Sequence, residues 1–135
     1  MPETFRFFVL PNNTAGSVLI PITNTPQPIA FVTTSLAANQ VLSLRATIGW
    51  AGTSGGIANA VFKIWRGAPI TGTLINSSEE SSETSVDRFK VTNLAHVDSG
   101  FTGNATYTLT AELLDTGRSA NIIGPLTFTA ATETV

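Results

Sequence analysis

The strongest constraint on this chain lies in its last third, where apolar and polar residues alternate with period two through two successive segments. In Ala105–Leu114, the residues Tyr107, Leu109, Ala111 and Leu113 alternate with Thr106, Thr108, Thr110 and Glu112. After a turn at Asp115-Thr116-Gly117-Arg118-Ser119-Ala120, the segment Ile122–Ala131 sets Ile122, Gly124, Leu126, Phe128 and Ala130 against Ile123, Pro125, Thr127 and Thr129. Alternate side chains of an extended strand point to opposite faces, so each segment predicts a strand with one buried face. The Gly-containing turn between them predicts that the two pair as a hairpin. Glu112 is the only carboxylate in either segment, and neither carries a histidine or a cation.

The rest of the chain is written the same way. Thr4–Leu10, Ser17–Ile22, Ile29–Thr34, Val41–Trp50, Ile57–Arg66, Ile70–Asn76 and Ser85–Leu94 read as further strands. Gly, Pro and Asn turns punctuate them, at Asn24–Pro28, Gly52–Gly56 and Gly67–Pro69. Val41–Trp50 is the clearest, with Leu42, Leu44, Ala46, Ile48 and Trp50 on one face. Ser77–Glu83 is polar and acidic, which predicts a solvated loop. No segment carries the i, i+3, i+4, i+7 stripe of an amphipathic helix. Abundant threonine fits a pleated, half-buried surface. At 135 residues the chain suits one domain. Its fold class is therefore all-β: an antiparallel two-sheet β-sandwich, jelly-roll-like, with an N-terminal arm. The arm and its hinge occupy residues 1–16 and the sandwich residues 17–135.

Charge narrows the partners. Seven cations and nine carboxylates give a net charge of −2. Arg6, Arg45, Lys63, Arg66, Arg88, Lys90 and Arg118 are scattered rather than clustered, which argues against a phosphate-binding surface and hence against nucleic acid. No run approaches the ~20 apolar residues of a membrane span. Charged residues make up only 12% of the chain, so self-repulsion is weak and association with its own kind is favoured. The absence of cysteine removes disulfides, thiol catalysis and thiolate metal sites. Met1-Pro2-Glu3 lacks the basic start of a secretory leader, and Phe7–Leu10 is too short for its apolar core. Work outside a cell would then follow release by lysis.

Catalytic and ligating chemistry is sparse. His96 is the only histidine, with only Asp98 near it in sequence, too little for a zinc site. Glu79, Glu80 and Glu83 lack the spaced Asp/Asn ligands and turn glycine of a calcium loop. Glu112 alone cannot form the carboxylate pair of a glycosidase. No nucleophile elbow, phosphate loop or dinucleotide fingerprint occurs. The reading is non-enzymatic, with no catalytic residue, cofactor or metal. Trp50 falls on the apolar face of its strand. Trp65 falls opposite Phe62 and Ile64 and so reads as exposed or at an interface. With Tyr107, these residues leave a carbohydrate-binding module as an alternative.

The N-terminal arm is the sharper feature. In Phe5-Arg6-Phe7-Phe8-Val9-Leu10, the residues Phe5, Phe7 and Val9 point one way while Phe8 and Leu10 point the other. A solvated tail would not carry apolar surface on both faces. Either the segment is the first strand of its own sandwich, or it adds as a strand to an open sheet of a neighbour. In the second case Phe5, Phe7, Phe8, Val9 and Leu10 make the inter-subunit contacts. Pro11, Asn12, Asn13 and Gly16 then form the hinge. Head-to-tail addition that does not close into a ring makes a fibre.

Three segments carry a resemblance: Val61-Phe62-Lys63-Ile64-Trp65-Arg66-Gly67, Tyr107-Thr108-Leu109-Thr110-Ala111-Glu112 and Ile123-Gly124-Pro125-Leu126-Thr127-Phe128-Thr129. Over roughly Val41–Ala131 the chain resembles small Bacillus spore-surface proteins of the exosporium protein C type. More distantly it is similar to endospore appendage (pilus) subunits, which polymerise through N-terminal extensions. The resemblance implies a structural, self-assembling sandwich on the spore surface or exosporium, extracellular after the mother cell lyses. It implies copies of the same chain as the main partner, and other spore-surface proteins as a second class. Appendage families with cysteine cross-links carry Cys near the N-terminus, and this chain has none. A closed oligomer, such as a trimeric jelly roll, is the alternative mode of assembly.

Overall fold

A computed structural model describes residues 5–9, 14, 16, 19–85 and 87–135, the side chain of Val9 aside. Among the described residues there are nine strands: β1 (Phe5–Val9), β2 (Ile20–Ile22), β3 (Gln27–Leu36), β4 (Gln40–Gly52), β5 (Ile57–Arg66), β6 (Thr73–Glu83), β7 (Phe89–Asp98), β8 (Gly103–Leu113) and β9 (Ala120–Thr134). They form two antiparallel sheets. One has the order β1-β9-β4-β7, with β2 also on β9, and the other has the order β3-β8-β5-β6. The inward faces meet in one core, where Trp50, Phe62, Tyr107, Leu109, Leu126 and Phe128 are fully buried. Trp50 and Phe62 meet edge to face across the two sheets, ring centroids 5.7 Å apart.

The closing alternation predicts the buried faces of β8 and β9 correctly but the pairing of the two strands wrongly. Tyr107, Leu109 and Ala111 are buried, as are Ile122, Leu126, Phe128 and Ala130. Yet β8 pairs with β3 and β5, while β9 pairs with β1, β2 and β4 in the opposite sheet. Period two specifies which face is buried and says nothing of the neighbouring strand. The turn after β8 is pulled away from a hairpin by its own hydrogen bonds. Oδ2 of Asp115 accepts from the Asn59 backbone N–H (3.0 Å) and from Asn59 Nδ2 (2.8 Å). Asn24 Nδ2 donates to the carbonyls of Leu113 (3.0 Å) and Asp115 (2.8 Å).

Ser77–Glu83, expected as a loop, continues β6 along the edge of its sheet and pairs with β5 as far as Glu83. Polar side chains suit an edge strand, whose backbone pairing is invisible to a hydropathy pattern. Conversely, the strand expected from Ile70 begins only at Thr73, because Ile70 sits in the preceding turn at φ 69°. In β7 the inward residues are Thr92 and Leu94, so Phe89, Val91 and Val97 are exposed. Trp65 is 7% exposed and its indole N–H donates to Thr110 Oγ1 at 2.9 Å. Lys63 lies over the same ring, 5.7 Å from its centroid. Placement opposite the core face therefore buries this tryptophan among strand neighbours instead of exposing it.

The two open sides of the sandwich close by different chemistry. On the β6/β7 side the closure is polar. Trp50 Nε1 donates to Thr92 Oγ1 at 2.9 Å, and that hydroxyl donates to the Glu80 carboxylate. Ser82 Oγ accepts from the Gly52 N–H (3.0 Å) and donates to the Arg88 carbonyl (2.5 Å). On the β1/β3 side the closure is aromatic, with Phe8 and Phe31 ring centroids 6.3 Å apart.

One buried polar cluster ties the two sheets together near the end of β7. Asp98, 5% exposed, receives both Nε (3.0 Å) and Nη2 (3.1 Å) of Arg66 and the hydroxyl of Tyr107 (2.7 Å). The Arg66 guanidinium also lies over Phe101, 4.8 Å from the ring centroid. Burial, with help from the Asp98 hydrogen bond, pushes the Tyr107 hydroxyl pKa well above the ordinary tyrosine range. The folded chain therefore keeps this proton where the unfolded chain loses it, above about pH 10. Stability is complete below that pH and falls above it by about 1.4 kcal/mol per pH unit. Tyr107→Phe is expected to remove that slope. Because the chain has a single tyrosine, near-ultraviolet absorbance during alkaline titration reports this group alone. Ionisation at the ordinary pH in the folded protein would refute the assignment.

Candidate assembly interface

Among the described residues, β1 is five residues long and pairs with β9 alone. Phe5, Arg6, Phe7, Phe8 and Val9 lie opposite Ala131, Ala130, Thr129, Phe128 and Thr127 of β9. Further along the same edge, the Gly16 N–H donates to the Ile123 carbonyl at 2.8 Å. β2 then pairs with Ile122–Ala120. Gly16, expected in the hinge, adopts φ 82°, a left-handed conformation that suits glycine. Pro11, Asn12, Asn13 and Leu10 lie outside the described residues.

The strand divides the apolar residues expected at the interface between two environments. Phe8 is half-buried and packs against the core cluster. Phe5 and Phe7 are 58% and 64% exposed, with ring centroids 6.0 Å apart. Val9 holds a register position opposite Thr127. Beside Phe8 runs an open apolar groove of about 650 Å³, walled by Phe31, Pro28, Ala30 and the Gly67-Ala68-Pro69 turn. Sequence reasoning missed this groove. Its available signal is Phe31, which sits out of phase with the buried Ala30 and Val32 and in phase with exposed Thr33.

The residues weighed for catalysis are not brought together. Glu112 is in an ion pair with Lys63 at 2.8 Å. His96 borders a separate depression with Leu74, Ile75, Asn76 and Ser77. Among the described residues, no three His, Asp or Glu side chains converge as a metal site would require. Both tryptophans are buried.

The strand order pairs β1, β9, β4 and β7 in one sheet and β3, β8, β5 and β6 in the other. The fold is a jelly roll. It is similar to the solved structure of infectious bursal virus-derived T=1 particles, with TM-score 0.50, 10% identity and 98% of this chain covered. It is also similar to a mutant VP2 protein of infectious bursal disease virus in T=1 particles, with TM-score 0.51, 10% identity and 98% of this chain covered. This chain spans 36% and 32% of the length of those two capsid proteins. Eiger TNF from S. frugiperda matches with TM-score 0.57 and 12% identity, over 100% of this chain and 94% of that one. No family model matches the sequence, and no curated protein matches it. At these identities the likeness is one of fold.

Proposed function

We propose that this chain is a structural, self-associating subunit of a spore-surface layer or fibre, with each copy joined to the next by its N-terminal strand. The observation that carries the reading is the β1 edge. Its five-residue ladder on β9 is addressed by backbone pairing and by Phe8, and both can be supplied equally by the β1 of another copy. The aromatic closure on this side contrasts with the hydrogen-bonded seam at β6/β7, so β1 leaves without breaking a buried side-chain hydrogen-bond seam of that kind. The similar jelly rolls in T=1 particles agree with an assembling role. The spore-surface placement rests on the resemblance of the β5, β8 and β9 segments to exosporium proteins. A structural rather than catalytic role is supported by the engaged Glu112 and the isolated His96.

Deleting residues 1–10 is expected to leave a folded monomer, read by negative-stain electron microscopy and light scattering. A truncated chain that still forms fibres sinks the arm. One that unfolds returns β1 to its own sandwich. A full-length chain that scatters as one discrete small oligomer favours closed assembly over a fibre.

A further inference from the structure

The outer face of the β1-β9-β4-β7 sheet is unusual in its layout. The register aligns its outward residues in rows: Phe5, Ala131, Ser43 and Val97, then Phe7, Thr129, Arg45 and Ala95, then Thr127, Thr47 and Asn93. Aromatic and aliphatic side chains stand on the two margins, at Phe5 and Phe7 on β1 and at Phe89, Val91 and Val97 on β7, all more than half exposed. Small Ala, Ser and Thr residues line the middle. Among the described residues of these rows, Arg45 is the one charge, with exposed Glu133 of β9 one row beyond, opposite Val41, and no ion pair engages Arg45. Beside it lies a depression of about 250 Å³ bordered by Arg45, Thr47, Asn93 and Ala95. A Thr47–Asn93 side-chain hydrogen bond of 2.9 Å spans β4 and β7 there.

We propose that a second copy of this chain packs face to face on this sheet about a two-fold axis running parallel to the strands. The inference rests on the reading that the chain self-associates, and it adds a second surface to the β1 exchange. Such an axis through the centre of the face exchanges β1 with β7 and β9 with β4. Phe7 of one copy then stands over the depression at Ala95, where Arg45 meets its ring as a cation–π partner. Phe5 stands over Val97, and the same contacts recur in the other direction, as an isologous interface requires. The small central residues allow the two sheets to approach to the ~10 Å of ordinary sheet packing.

Two further observations select a second copy as the occupant. Three strands about ten residues long and the five-residue β1, ~4.8 Å apart, present roughly 550 Å² of flat area before side-chain relief. That is close to the roughly 800 Å² per partner of a stable interface. Few charges on this face also mean little desolvation cost when a second copy covers it, which suits self-packing. The opposite sheet, by contrast, carries Lys63, Glu112 and Glu79 on β5, β8 and β6.

Ala95→Arg tests the proposal, because Ala95 is exposed on this face. Sedimentation of the full-length protein is expected to show the pairing constant weakened about 100-fold or more in this variant. Phe5→Cys with Val97→Cys supplies a second measurement in a chain with no native cysteine. Within one chain the two positions are three strand spacings apart, ~14 Å. That is beyond the ~7 Å a disulfide can bridge, so oxidation is expected to give covalent dimers only across the proposed interface. A wild-type chain that stays monomeric, an Ala95→Arg chain that pairs as tightly as wild type, or a double-cysteine chain that stays monomeric on oxidation overturns the proposal. Ala95 lies away from β1 and from the β9 edge that receives it. Ala95→Arg therefore removes face pairing and spares strand exchange, whereas deletion of residues 1–10 removes both. The two readings thus fail on different variants.

Discussion

Gly49→Ala is expected to lower the stability of the folded chain by about 3 kcal/mol or more, the upper end of what overpacking costs. A Cβ at this position would lie 2.0 Å from the carbonyl oxygen of Gly124, 2.4 Å from its carbon and 2.8 Å from the nitrogen of Pro125. All three are backbone atoms, so no rotamer change relieves the clash. The site is the bulge where β4 passes from Ile48 to Trp50 while β9 passes from Leu126 to Ile122. The two strands at the centre of their sheet must separate locally, and the buried Ile48 and Trp50 on either side move with them. For a domain of this size the thermal midpoint falls by roughly 10 °C or more. Calorimetry of the variant decides: a shift of a degree or two would mean that β9 yields easily at this point. Gly117→Ala is a useful contrast, since nothing lies within 4 Å of its added Cβ. Its cost comes only from φ 76° and is expected near 1 kcal/mol.

Asp98→Ala carries the second large effect. Its carboxylate is the shared acceptor for Arg66 and Tyr107, and removing it leaves the fully buried Tyr107 hydroxyl without its partner. Arg66 retains access to water, with 31% of its side chain exposed, so its charge is only partly stranded. Together these losses are expected to cost about 3 kcal/mol in denaturant unfolding. Asp98→Ala combined with Tyr107→Phe should recover part of that loss, because the orphaned hydroxyl is gone. A double variant no more stable than the single one would show that the loss comes from Arg66 or from packing.

The contrast between these two sites explains what could be read in the sequence. The inward faces of β4, β8 and β9 are spelled out by alternation, because burial of Leu42, Leu109 or Phe128 is a local property of strand and side chain. The partnership of β8 and β9 is not, because their connection crosses between sheets under the direction of Asp115, Asn59 and Asn24, which lie far apart in the chain. The Ser77–Glu83 strand is hidden for a related reason. Its pairing uses backbone groups, and its inward side chains close a polar seam instead of a core. In the sequence, Asp98 stands out only as the neighbour of His96. Its partner Arg66 is 32 residues away, and no spacing rule links the two. The aromatic arm was legible as apolar on both faces. Its division into an inward Phe8 and an outward Phe5 and Phe7 required the register with β9.

The unequal closure of the sandwich has a thermal consequence. Contacts between apolar side chains weaken on cooling, whereas hydrogen bonds such as those of Thr92 and Ser82 carry no comparable loss. The Phe8–Phe31 side should therefore loosen first as temperature falls, while the β6/β7 side keeps the two sheets together. Warming then does more than preserve the fold: it tightens the grip of β9 on β1.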